Sequence, residues 1–396
     1  MSGLPERYDR PPLAVELSGE QRAARERARQ YVREELIPRE SEVGEVDALP
    51  ADLERHLNDR AKALGLWAPA TPVELGGGGL GELGHVLLRE QVANAVLADI
   101  RQERGIGGDP WPALYAAQGE MRERYLMPHI RGEKTMFFAL TEPGAGSDAA
   151  SLKTRAEWTG SAWRITGRKH FIGRGGTADF GIVFASTDAD KGARGGITCF
   201  AVDRGTPGFT HVRDIETMGA CRPTEIAFDG CLVPPENVLG EVGQGFVLAS
   251  KTLARTRLRQ ASMSLGVAQR ALDETLAWVA ERRTFGKLLK EREIVRARLA
   301  RAAVDLRAAR LMTYAIAGAS DRGENIRAMV PAAKTLAAQT AWRITDLAVQ
   351  LHGAVGIGRD RPVERLYRDV RSFRITEGSD EVQRSLIARE LLATNR

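Results

Sequence analysis

The feature that most constrains this chain is a double change of hydrophobic period along its 396 residues. Up to about residue 133 apolar positions recur at helical spacing. From Lys134 they fall in short β-like runs, and from Val242 the helical spacing returns and lasts to the C-terminus. GEQRAARERARQYVREELI sets Ala, Tyr, Val, Leu and Ile among charges. Ser18 precedes it with Gln21 three places on, the capping-box pattern that satisfies two orphan amides. Pro38 is expected to end that helix, because the residue before a proline avoids helical angles. LERHLNDRAKALGLW and ELGHVLLREQVANAVLADI continue the pattern, with VELGGGGLG as a turn between them.

KTMFFALT, WRITGRKHFI, DFGIVFAST, GITCFAVDR and EIAFDGCLVP are rich in Val, Ile, Phe and Thr and separated by Gly, Pro and Asp, which reads as an antiparallel β domain. LGVAQRALDETLAWVAERR, VRARLARAAVDLRAARLMTYAIAGA and MVPAAKTLAAQTAWRITDLAVQLHG are long, Ala-rich and amphipathic, as in an antiparallel bundle. Strands and helices do not alternate, so a Rossmann sheet is disfavoured.

With 43% hydrophobic residues the chain has material for a large core, which excludes disorder as its main state. No apolar run approaches the roughly 20 residues that span a bilayer. MSGLPERYDRPPL reads as neither a signal nor a transit peptide. Cys199, Cys221 and Cys231 have no metal-ligand spacing, and the six histidines have none either, so a reducing, cytoplasmic location is expected without a metal. Residues 251–396 hold 28 Lys+Arg against 16 Asp+Glu, while the rest of the chain is net acidic. That basic part suits an anionic partner such as a nucleotide cofactor, coenzyme A or nucleic acid, or simply solvated helix faces.

Five motifs stand out. TEPGAGSD, Thr141 to Asp148, follows a strand and offers glycine backbone and hydroxyls to a phosphate or flavin edge, although such a turn alone is more often only a turn. GRKHFIGRGGTADF carries Phe171 and small residues where one strand ends. In ERRTFGK, Arg282 and Thr284 suit a pyrophosphate, or the basic end of a helix. AVQLHG ends a helix on Gly353. In RITEGSDEVQR, Glu377 is either a base held in a loop or a solvated acid at a helix start.

Taken together, TEPGAGSDAASLKTRA, GRKHFIGRGGTADF, DRGTPGF, VPPENVLGEVGQGF, GVAQRALDE, AERRTFGK, PVERLYRD and ITEGSDEVQRSLIAREL make the chain resemble the acyl-CoA dehydrogenase family from about Leu17 to Leu392. The resemblance implies a mainly α fold with a middle β domain: an N-terminal helical domain (1–133), an antiparallel, barrel-like β domain (134–241) and a C-terminal four-helix bundle (242–396). It implies FAD, a trans-2-enoyl-CoA product, removal of an α-proton by a carboxylate and β-hydride transfer to flavin N5. Glu377 matches the base of the short- and medium-chain branch, and the alternative position near Arg255–Leu258 holds no acid. Such a base must be desolvated, because a thioester α-proton is weakly acidic.

By position, Phe138, Leu140, Thr141, Gly146, Ser147, Phe171, Ile172 and Gly173 resemble flavin-contacting residues. Arg282, Thr284, Phe285, Gln350 and Gly353 resemble those that reach a neighbouring subunit's FAD, with Ser379 and Glu381 near the nucleotide. Ser147, Arg257 and Gly378 resemble substrate contacts. An acyl-CoA substrate, an electron-transfer flavoprotein as acceptor and a homotetramer built as a dimer of dimers are implied. Gly173 stands where relatives carry a hydroxyl, and Ala254, Glu293 and Thr376 depart from common family residues, so acyl preference does not transfer. Arg101 and Arg104 fall where relatives line the acyl tail and suggest a polar or carboxylated acyl group, or else a solvent or subunit contact. Two alternatives remain: DNA binding, as in the alkylation-response flavoproteins of this superfamily, which are longer, and an oxidase using O2 directly.

Overall fold

The computed structural model describes residues 15–97 and 104–393. Helix α1 (Gly19–Tyr31) opens on the expected capping box: the Gln21 amide donates to Ser18 Oγ and the Ser18 amide to Gln21 Oε1, both at 3.0 Å. Pro38 does not end the helical run, contrary to expectation. The chain widens into a π turn over Val32–Leu36, tightens over Ile37–Arg39 and continues as helix to Val43, ending at Gly44. A wide turn moves the preceding carbonyls away from the proline ring, which removes the clash that normally stops a helix.

Helices α2 (Ala51–Ala63) and α3 (Gly81–Val92) follow. The glycine turn between them is tightly packed: a Cβ on Gly77 would lie 2.3 Å from the Thr71 carbonyl oxygen. The N-terminus of α3 is capped from the far end of the chain, where Asp321 accepts from the Glu82 and Leu83 amides at 2.6 and 3.0 Å. Arg104, which sequence places at the acyl tail, is buried and donates to the Val92 and Ala95 carbonyls at 3.2 and 2.7 Å. Its job is structural, and it gives no support to a polar acyl group. Arg101 lies outside the described residues, as does MSGLPERYDRPPL.

The middle domain is a seven-stranded sheet among the described residues: β1 (Met136–Ala139), β2 (Arg155–Trp158), β3 (Trp163–Ile172), β4 (Phe180–Ser186), β5 (Ile197–Asp203), β6 (Phe209–Asp214) and β7 (Thr224–Val233). The order is β1-β4-β2-β3-β7-β6, with β5 also on β4. Most pairs are antiparallel, but β1 runs parallel to β4, with Met136 opposite Phe180. The sequence does not announce β2 and β6, because nearly every residue of both is partly or fully exposed and the apolar alternation is missing.

Helix α4 (Gly245–Glu281) is 37 residues long and packs along α6 (Val330–His352), with α5 (Glu293–Asp321), α7 (Val363–Arg371) and α8 (Asp380–Ala393) around them. Ala261, Ala268, Ala271, Ala333, Ala338 and Ala341 are buried where these helices face one another, and small side chains allow the close approach. The start of α4, around Gly245 and Ala249, packs against β5 and the core of the sheet rather than in the bundle. One apolar core joins α1, α3 and the bundle, and a second joins the sheet to the start of α4.

Candidate active site

Glu377 sits in the loop between α7 and α8, in a left-handed conformation with φ of 57° that a non-glycine residue adopts only when its surroundings enforce it. The enforcement is visible. The Glu377 carbonyl accepts from Arg257 Nε at 2.8 Å and from Gln383 Nε2 at 3.0 Å. The Gly378 carbonyl accepts from Gln383 Nε2 at 3.1 Å and from Lys334 Nζ at 2.8 Å. Gly378 must be glycine: its φ is 91° and a Cβ would lie 2.4 Å from Gln383 Nε2.

The carboxylate itself leans on α4. Thr256 Oγ1 donates to Glu377 Oε2 at 2.7 Å, and among the described residues no donor reaches Oε1. One turn further along α4, Gln260 Nε2 donates to Thr376 Oγ1 at 2.7 Å, so Thr376 serves to seat the loop. Asp380, the first residue of α8, is buried and accepts from Arg374 at 2.8 Å and Gln339 at 3.1 Å. Burial pulls the pKa of Lys334 down to about 8, against the opposing pull of Asp380 and Glu377. Lys334→Met removes a buried donor from Gly378 and should cost about 1–3 kcal/mol. Thermal unfolding measures that loss, and a loosened loop should lower turnover with it.

The TEPGAGSD loop is fixed from beneath. Lys169, fully buried on β3, donates to Glu142 Oε1 at 2.8 Å and to the Leu140 carbonyl at 3.1 Å. Glu142 in turn accepts from the Lys153 and Thr154 amides at 2.6 and 3.0 Å. Gly144, Gly146 and Ser147 are left exposed, and a Cβ on either glycine would meet nothing within 4 Å. Phe138 packs between Trp111 and Phe184, with ring centroids 4.8 and 4.9 Å away. Leu140 and Ile172 are buried in the two faces of the β domain, so what they offer outward is backbone. Phe171 has φ of 57°, is 55% exposed and packs edge-on against His170. Gly173 beside it is exposed, with open space at its Cβ position.

A third group gathers at the other end of the bundle. Arg282 stacks over Trp278, whose ring stacks on His352 at 5.1 Å and whose Nε1 donates to the Leu351 carbonyl. That links ERRTFGK to AVQLHG, with Gln350 and Gly353 exposed beside it. The Thr284 carbonyl accepts from Arg292, and Phe285, at the tip of a two-residue hairpin, is 98% exposed. Arg282 follows Thr256 by 26 residues along α4, about 39 Å at 1.5 Å per residue. The structure therefore unites Glu377, Gly378, Arg257 and Ser379, and separately unites Arg282, Thr284, Phe285, Gln350 and Gly353, but it keeps the two groups apart. Glu381 is exposed in the first turn of α8. Sequence reading missed Thr256, Gln260, Gln383, Lys334 and Lys169. The lysines carried a signal, each being a charge on the apolar face of its element.

Open glycine backbone and exposed aromatic faces suit a flat ring system, and a guanidinium beside a hydroxyl suits a pyrophosphate. Surfaces of that kind, in a chain that also braces a strained carboxylate on a separate loop, suit a redox enzyme that pairs a proton acceptor with a bound organic cofactor. Residues 18–133, 137–231 and 243–392 match the N-terminal, middle and C-terminal domains of acyl-CoA dehydrogenases. A 3-(aryl)acrylate reductase of Clostridium sporogenes is 36% identical over 93% of this chain and 97% of its own. The caffeyl-CoA reductase-Etf complex subunit CarC of Acetobacterium woodii is also 36% identical, over 95% and 99%. The butyryl-CoA dehydrogenase structure from Megasphaera elsdenii superposes with a TM-score of 0.88 at 31% identity, covering 96% and 100%. The chain belongs to the acyl-CoA dehydrogenase family. It is accordingly an oxidoreductase acting on CH–CH groups with FAD as cofactor, and the exposed loops and rings described above fit that cofactor. No helix among the described residues is long and apolar enough to cross a membrane.

Proposed function

We propose that this protein interconverts a saturated acyl-CoA and its trans-2-enoyl-CoA, with Glu377 as the base for the α-proton. The observation that carries this reading is the carboxylate's asymmetry: Thr256 engages Oε2, and Oε1 is left to take a proton. FAD, when bound, supplies the acceptor for the hydrogen and electrons leaving the β-carbon. Phe138, Leu140, Thr141, Gly146, Ser147, Phe171, Ile172 and Gly173 hold it from the middle domain, with Ser379 and Glu381 near its nucleotide. Ser147, Arg257 and Gly378 face the substrate, and Arg257 also clamps the loop through the Glu377 carbonyl.

Arg282, Thr284, Phe285, Gln350 and Gly353 serve a second copy's cofactor in a homotetramer. Their distance from Thr256 along α4 and the bare Phe285 ring support that assignment. An electron-transfer flavoprotein is the proposed redox partner, supported by the Etf complex named for the A. woodii relative. Because two relatives are reductases, the same residues acting in reverse are the second reading, with Glu377 returning the proton to the α-carbon. A panel of saturated and 2-enoyl CoA thioesters tests both, assayed with an artificial acceptor, with reduced electron-transfer flavoprotein and with O2 alone. Turnover of saturated thioesters only with the acceptor supports the dehydrogenase. No reaction with any thioester refutes the proposal.

Gly173→Ser should fold normally, because its Cβ meets open space and its backbone is not left-handed. A stability change within about 0.5 kcal/mol is expected. The added hydroxyl should accelerate cofactor reduction in stopped-flow. An unchanged or slower rate in the folded, FAD-loaded variant would show that no donor was missing.

A further inference from the structure

We infer that the acyl end of this site receives a hydroxyl group, taken up by Glu82 and His85 on α3; the inference rests on the acyl-CoA reading above. Glu82 and His85 lie three residues apart and so share one face of α3. Opposite them, α4 presents Arg255 and Arg259, which flank Thr256, the residue that holds the catalytic carboxylate. Arg259 Nε donates to Glu82 Oε1 at 3.3 Å, whereas Arg255 Nε stays 3.9 Å from Glu82 Oε2, beyond hydrogen-bond reach. His85 Nδ1 lies 2.5 Å from Asp109 Oδ2. Asp109 also accepts from the Thr71 amide at 2.8 Å and the Thr71 hydroxyl at 2.7 Å. A charged, buried layer thus begins within one helical turn of the base's partner, where a plain alkyl tail would want an apolar wall.

Among the described residues, two atoms in this layer have no hydrogen-bond partner: Glu82 Oε2 and His85 Nε2. Their side chains are only 2% and 4% exposed. Both atoms are acceptors. Burial tends to raise the Asp109 pKa, but His85, Arg259 and Thr71 together bring it down to about 2, so Asp109 is an acceptor and His85 Nδ1 carries the proton. Burial, aided by Arg259, lowers the His85 pKa against Asp109 and Glu82, which keeps the ring neutral and leaves a lone pair on Nε2. Two orphan acceptors on one face of α3 call for a donor, and an O–H supplies one while its oxygen can accept from Arg255. A carboxylate tail would set oxygen against oxygen here. The layer therefore points to a hydroxylated acyl group, in place of the carboxylated alternative raised by Arg101 and Arg104.

The test uses the FAD-loaded enzyme and matched pairs of CoA thioesters, ω-hydroxyacyl and unsubstituted, over chains of about four to eight carbons. Both kcat/KM and the Kd from calorimetry are measured. At one chain length the wild type should favour the hydroxylated member about ten-fold or more in both quantities. Glu82→Gln, which turns an acceptor into a donor in the same volume, should bring the pair to parity. If Glu82→Gln does not fold, the wild-type ratio alone decides. Equal or better use of the unsubstituted chain at every length overturns the inference while the acyl-CoA reading stands. Failure of every thioester in both sets to bind or react overturns the two together.

Discussion

Glu377→Gln should keep the fold, the bound FAD and CoA-thioester affinity while turnover falls by about 10²–10⁴-fold, the range a positioned acid–base group contributes. The amide fills the same space and still accepts from Thr256 Oγ1, so the loop geometry survives. Arg257, Gln383 and Lys334 grip the backbone carbonyls of Glu377 and Gly378, not the carboxylate, and lose nothing in the substitution. Only the proton-accepting oxygen is gone. Steady-state rates, with visible absorption to count FAD, make the comparison. Near-wild-type turnover would place the base elsewhere.

Lys169→Met should be the most destabilising of the substitutions considered, by about 3–5 kcal/mol, because it strands the buried Glu142 carboxylate without its cation. Burial pulls the Lys169 pKa down to about 8, against the pull of Glu142, which marks how dry this pair is. Since Glu142 ties the TEPGAGSD loop to the Lys153 and Thr154 amides, FAD should be retained less well in the variant. Adding Glu142→Gln removes the stranded charge, the larger penalty, and keeps an acceptor for one of the two amides, with its NH2 group set against the other. The double variant should therefore be more stable than Lys169→Met alone. Thermal unfolding and FAD content after gel filtration measure both effects, and a single variant as stable as the wild type would contradict the assignment.

Sequence period alone revealed the helical, β, helical order, because α6 buries one face, α3 and the middle of α4 are buried nearly all round over helix-length stretches, and β3 to β5 alternate or bury fully. It failed where period carries no information. The exposed strands β2 and β6 lack apolar alternation, the parallel β1–β4 pairing depends on chain path, and Pro38 is absorbed by a local change of helix width. At the site, Glu377 and the glycine motifs were legible as motifs. The residues that hold them were not, since Thr256, Gln260 and Lys334 come from distant turns of α4 and α6 and meet the loop only in three dimensions. Arg104 shows the converse: a charge at a suggestive position that donates to the nearby Val92 and Ala95 carbonyls.

The measurement that bears most directly on the account isolates the proton step. A 3-thiaacyl-CoA has acidic α-hydrogens but sulfur at the β-position, so no β-hydride can leave. Incubated in D2O with the FAD-loaded enzyme and followed by mass spectrometry, it should exchange its α-hydrogens far faster than in buffer alone. With Glu377→Gln, exchange should fall to near the background rate while the thioester still binds. Undiminished exchange in that variant would contradict the assignment of Glu377 as the base.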